Sequence, residues 1–77
     1  MEELLEQLAR ALVDAPDEVR VESFEDDDGT FVLELSVAQD DVGKVIGRGG
    51  RTVGALRTVM RAVSTQSGHR VAVDVLD

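Results

Sequence analysis

Between two stretches of helical periodicity the chain carries Val45-Ile46-Gly47-Arg48-Gly49-Gly50-Arg51-Thr52-Val53, with three glycines in four positions. An apolar pair precedes the glycines, and an apolar residue follows them inside the next helical pattern. Without a Cβ, such a segment turns sharply and lets another molecule come close to the backbone. The first N–H groups of the following helix lack intrahelical acceptors and favour an anion at the turn. Arg48 and Arg51 bring cations to the same place. Together these features describe a clamp for a phosphate backbone, although an ordinary glycine C-cap followed by a new helix has the same spacing.

The remaining elements follow from apolar periodicity. Residues 2–14 read as a helix with Leu4, Leu5, Leu8, Ala11 and Leu12 on one stripe, ended by Asp14-Ala15-Pro16-Asp17. Residues 18–25 read as a strand with Val19 and Val21 on one face; Phe24 breaks the alternation and predicts a bulge or an early end. Asp26-Asp27-Asp28-Gly29 is a hairpin turn rather than a calcium loop, since it lacks spaced ligands and a distal glutamate. Residues 30–38 alternate most clearly, with Phe31, Leu33, Leu35 and Val37 on one face, and pair with the first strand as an antiparallel hairpin. Asp40 is the expected N-cap of a short helix that runs through Ile46 and is ended by Gly47.

A long helix follows over 51–66, with Val53, Leu56, Val59, Met60 and Val63 as its buried stripe. Arg51, Arg57 and Arg61 project from its other side, and Arg57 and Arg61 read as a solvated face rather than as ligand contacts. Gly54 inside this helix costs about 1 kcal/mol relative to alanine, which suggests close packing or a close ligand. Gly68 closes the helix, and 70–76 is a last strand. The order is α-β-β-α-α-β.

Seventy-seven residues with 43% hydrophobic content suffice for one domain, a layer of helices on one small sheet. No cysteine is present, which excludes disulfides and thiolate chemistry. No apolar run reaches the length of a membrane span, and Met1-Glu2-Glu3 is no signal-peptide start, so a soluble cytoplasmic protein is expected. The net charge of −8 is unevenly distributed. Residues 1–41 hold fourteen carboxylates against Arg10 and Arg20, whereas residues 42–73 hold Lys44 and five arginines with no acid. That asymmetry points to a nucleic-acid partner for the second half. The acidic half then limits loose, non-specific binding.

Ile46-Gly47-Arg48-Gly49-Gly50-Arg51-Thr52-Val53 resembles the I-G-x-x-G-x-x-[IV] signature of KH domains, in which a G-x-x-G loop between two helices clamps about four nucleotides. Two further stretches narrow the resemblance. Ala11-Leu12-Val13-Asp14-Ala15-Pro16-Asp17-Glu18-Val19 is similar to the A-L-V-x-x-P-[DE]-x-V opening of the small bacterial KH proteins of the KhpA (YlqC) family. The segment from Val45 to Thr52, followed by Ala55-Leu56-Arg57-Thr58-Val59, is similar to that family's V-I-G-[KR]-x-G-R-x-x-x-[AS]-[IL]-R-x-[VL] block.

The resemblance implies an α+β, type II KH fold over residues 1–77, with a three-stranded sheet and its helices on one face. It also implies binding of single-stranded RNA in a chaperone or post-transcriptional role. Pairing with a second copy, or with a larger multidomain KH partner of the Jag type (KhpB), is implied as well. One departure is Gly49, where the family often has a larger polar residue; a looser loop predicts weaker binding.

The residues assigned to nucleic acid on this basis are Lys44, Ile46, Gly47, Arg48, Gly49, Gly50, Arg51 and Thr52. Gly47 and Gly50 permit the turn, the N–H groups from Gly49 through Thr52 face phosphates, and Arg48 and Arg51 pair with them. Lys44, one turn earlier, reaches for phosphate, while Ile46 and Val45 offer an apolar floor, Val45 being equally readable as core. With only Phe24 and Phe31 as aromatics, base stacking contributes little, so the expected footprint is short and weakly sequence-specific. Catalysis finds no support: the single His69 has no nucleophile beside it, and neither a P-loop nor a dinucleotide fingerprint is complete. No catalytic residue, metal or cofactor is expected. Two rivals stand, a protein-interaction or dimerisation module with little RNA binding of its own, and a binder of single-stranded DNA.

Overall fold

The central element is the strand Phe31–Ser36 (β2), whose odd-numbered residues Phe31, Leu33 and Leu35 face the core. A computed structural model describes residues 1–76; Asp77 lies outside the described residues. Arg20–Glu25 (β1) pairs with β2 antiparallel, and Val71–Leu76 (β3) pairs with it parallel, giving the order β1-β2-β3. A parallel neighbour requires a crossover. Here it consists of Val42–Ile46 (α2), the glycine turn and Arg51–Ser67 (α3). Glu2–Arg10 (α1) packs beside them, so all three helices share one face of the sheet. The order α-β-β-α-α-β and the α+β class agree with the sequence reading.

Leu5 and Ala9 of α1, Val45 of α2, and Leu56 and Met60 of α3 meet Leu33, Leu35, Val71 and Val73 in a single cluster. A fully buried aliphatic side chain of this kind contributes about 1.5–3 kcal/mol. The cluster therefore fixes how α2 and α3 sit on the sheet, and with them the turn between.

Several local expectations are corrected. Helix α1 ends at Arg10 and not at Asp14. In a longer helix the N–H groups of Asp14 and Ala15 would donate to carbonyls four residues back. They donate instead to the Asp41 carboxylate, at 3.2 and 3.0 Å. Phe24 makes no bulge: β1 stays in register through Glu25, with Phe24 opposite Val32 on the face away from the helices. Asp40 caps nothing. A 3-10 turn over Gln39–Asp41 precedes α2, and Asp41 occupies the N-cap position without its side chain capping the backbone N–H groups of that helix.

The stripe of α3 is also displaced. Val53, Leu56, Met60 and Ser64 are buried, whereas Val59 and Val63 are 41% and 37% exposed. Val59 and Val63 lie on the flank of the buried stripe, where this small sheet offers nothing to cover them. Gly54 has no atom within 4 Å of a Cβ position, so packing does not explain it. Gly68 (φ 78°) ends α3 as expected, and the His69 N–H donates back to the Ser64 carbonyl at 3.0 Å. Among the described residues no helix is long and apolar enough to cross a membrane.

Candidate nucleic-acid interface

Helix α2 stops because Gly47 leaves helical space (φ 76°, ψ 168°) while its N–H still donates to the Gly43 carbonyl at 2.8 Å. A Cβ at residue 47 would lie 2.3 Å from Thr52 Oγ1 and 2.8 Å from Thr52 N. Glycine is therefore required there by the close approach of α3. Gly49 (φ 64°, ψ 18°) and Gly50 (φ 79°, ψ 14°) are left-handed, with open space around them. For Gly49 this adds a second side to the sequence reading: the residue loosens the loop, but it also suits a conformation that costs other residues roughly 1–2 kcal/mol.

The turn is a 3-10 helix over Arg48–Gly50, and it uses two of the expected phosphate donors itself. The Gly50 N–H donates to Gly47 O at 3.1 Å, and the Arg51 N–H donates to Arg48 O. Of the N–H groups expected to face phosphate, those of Gly50 and Arg51 are thus already engaged. Arg48 and Arg51 are exposed on opposite ends of the turn, and neither forms an ion pair among the described residues. Ile46 is 38% exposed beside them, while Val45 is fully buried and belongs to the core. Thr52 is half-buried against Gly47.

Lys44 is placed differently from the sequence expectation. Its ammonium pairs with the Asp14 carboxylate and, at 3.2 Å, with Asp41 Oδ1. Asp41 is only 2% exposed. Burial pushes its carboxyl up, but the N–H groups of Ala15 and Asp14 and the Lys44 ammonium outweigh that, leaving its pKa below the ordinary value. The carboxylates of Asp14 and Asp41 in turn raise the pKa of Lys44. This knot ties the start of α2 to the connection after α1. Lys44 thereby holds the helix that carries the loop, and its charge is largely answered before any phosphate arrives. Asp41 was invisible to periodicity because its N–H partners lie 26 and 27 residues away.

Helix α3 presents two unlike flanks. On the side of β3, Arg57 Nε donates to the Val73 carbonyl at 3.1 Å, so it is not the freely solvated group the sequence suggested. Farther along, Arg61, Ser64, Thr65, His69 and Arg70 line an open depression of about 330 Å³. Cations thus continue from the turn along this flank. On the side of α1, Leu8, Leu12, Ala55, Leu56 and Val59 line an apolar depression of about 300 Å³ that begins at Thr52. Among the described residues no group of three His, Asp or Glu side chains is placed to hold a metal ion.

The chain matches the family described as KhpA/KhpB, KH domain, over residues 2–75. The RNA-binding protein KhpA of Halalkalibacterium halodurans is 52% identical over 77 residues, covering all of both chains. That of Clostridium acetobutylicum is 45% identical over 76 residues, covering 99% of this chain and all of its own. That of Streptomyces coelicolor is 51% identical over 77 residues, covering all of this chain and 92% of its own.

Proposed function

The chain belongs to the KhpA/KhpB family of KH domains, and on that footing we propose that it grips single-stranded RNA by its backbone at the Gly47–Gly50 turn. The observation that carries this reading is the pairing of two arginines that have no ionic partner among the described residues, Arg48 and Arg51, with a turn that Gly47 keeps tight against α3. Phosphate oxygens would accept from the N–H groups of Gly49 and Thr52 and from both guanidiniums, with Ile46 as an apolar edge under the first base. Lys44 acts mainly by fixing α2. The relatives' names, RNA-binding protein KhpA, support the same ligand. The work is binding rather than catalysis, in the cytoplasm, as a chaperone or post-transcriptional regulator of RNA.

Backbone contacts carry little sequence information, so discrimination between RNAs should be weak. The test is titration of a fluorescent mixed-sequence single-stranded RNA across a salt series. Wild type is compared with an Arg48→Asp, Gly49→Asp double variant of verified fold. Binding that weakens with salt and is lost in the variant supports the clamp; equal binding by both proteins refutes it. Competition with single-stranded DNA of the same sequence shows whether the 2′-hydroxyl is read.

A second reading is favoured by the exposed Leu12, Val59 and Val63 on the α1 side of α3. That flank suits docking of a second copy, or of a larger Jag-type KH protein.

A further inference from the structure

The face of the sheet turned away from the helices is unpartnered, and its rungs are sorted by chemistry. In the register of the sheet, Phe24 lies opposite Val32 and Val32 opposite Ala72, making one apolar rung. The next rung is Glu22, Glu34 and Asp74. The third is Arg20, Ser36 and Leu76. Phe24 is 49% exposed and Leu76 44%, so apolar surface flanks the acids on both sides.

Like charges directly opposite one another destabilise a sheet, and this rung carries three in a line. Among the described residues no cation answers them. None of the three takes part in an ion pair among the described residues. Arg20, on the same face, instead donates through Nη1 to the carbonyls of Asp17 and Val19. Strands lie about 4.8 Å apart, so the rung spans roughly 10 Å, about two turns of a helix laid across the sheet.

We infer that this face docks a lysine- or arginine-rich amphipathic segment of a partner protein, whose cations pair with Glu22, Glu34 and Asp74 and whose apolar side chains cover Phe24 and Leu76. Charge selects the occupant. RNA is repelled by the carboxylate row, and a second copy docked face to face would set acids against acids. The face lies across the sheet from the helices that carry the glycine turn, so a partner held here leaves that turn open. The inference stands independently of RNA binding.

The test uses a synthetic 18-residue amphipathic helix of leucine and lysine as the probe, titrated into the ¹⁵N-labelled chain and followed by amide chemical shifts. The expected shifts gather at Glu22, Phe24, Val32, Glu34, Ala72 and Asp74. Glu34→Lys should weaken binding at least tenfold, whereas Glu3→Lys, the same charge change at an exposed position of α1, should change it less than twofold. If Glu34→Lys does not fold, Glu22→Lys on the outer strand reads the same row. Absence of binding overturns the inference. So do equal effects of Glu3→Lys and Glu34→Lys, which would mean attraction to net charge alone, and shifts gathered on the apolar flank between α1 and α3.

Discussion

Thr52 stands where a side chain at residue 47 would have to go: its Oγ1 lies 2.3 Å and its amide nitrogen 2.8 Å from the Cβ position of Gly47. The start of α3 is thereby pressed against the end of α2, and the three residues after Gly47, Arg48–Gly50, fold into a tight 3-10 turn. The turn's shape is set by this contact more than by the number of glycines in it.

Gly47→Ala should accordingly be the most damaging single change in the turn. Positive φ and the collision with Thr52 together predict a loss of about 2–4 kcal/mol in urea unfolding, with RNA affinity falling in parallel. Gly50→Ala meets open space and should lose only the backbone cost, about 1–2 kcal/mol. Equal losses at the two positions would contradict the steric account.

The Asp41 knot predicts a particular pH profile. The pKa of Asp41 is lower in the folded chain than the usual carboxylate value of about 3.9, so its contribution is present above that pH and lost as pH falls through the folded pKa. The pKa of Lys44 is raised, so its contribution is complete below about 10.4 and lost as pH rises through the folded value. Asp41→Asn should lower the unfolding midpoint by about 5–15 °C between pH 5 and pH 9. The difference from wild type should shrink below about pH 4, as followed by circular dichroism melts.

Gly54→Ala fills open space on an otherwise regular helix. It should stabilise the fold by about 0.5–1 kcal/mol, a rise in melting temperature of several degrees. The same variant shows what the bare helix is for: unchanged RNA affinity makes Gly54 a mere helix defect, and a several-fold loss places RNA against this part of α3.

Val59→Asp tests the apolar flank. The position is 41% exposed, so the fold should survive, and any self-association seen by sedimentation should be abolished while RNA binding by a single chain persists. Retained dimers would move the contact elsewhere.

The order of elements, the central strand and the location of the loop were legible in the sequence, because each rests on local signals: alternation at Phe31, Leu33 and Leu35, glycine chemistry at 47–50, and helical spacing at Val53, Leu56 and Met60. The errors share a cause. Helix α1 read four residues too long because Asp41 competes for the N–H groups of Asp14 and Ala15 from far along the chain. The ion pair of Lys44 with Asp14 was not legible because the two residues lie 30 apart in the chain. Val59 and Val63 read as core because periodicity places residues on a helix face without saying how wide a face the partner covers.

What the sequence determined by itself is therefore the set of elements and the chemistry of the turn, since propensity, alternation and glycine geometry act over a few residues. Tertiary structure alone decided which charges are left without partners. Among the described residues Arg48 and Arg51 have no ionic partner while Lys44 and Arg57 are engaged, and Glu22, Glu34 and Asp74 are brought into one row, because charge pairing depends on distance in space and Asp14, the Val73 carbonyl and the three acids are brought into place only when the sheet and its crossover close.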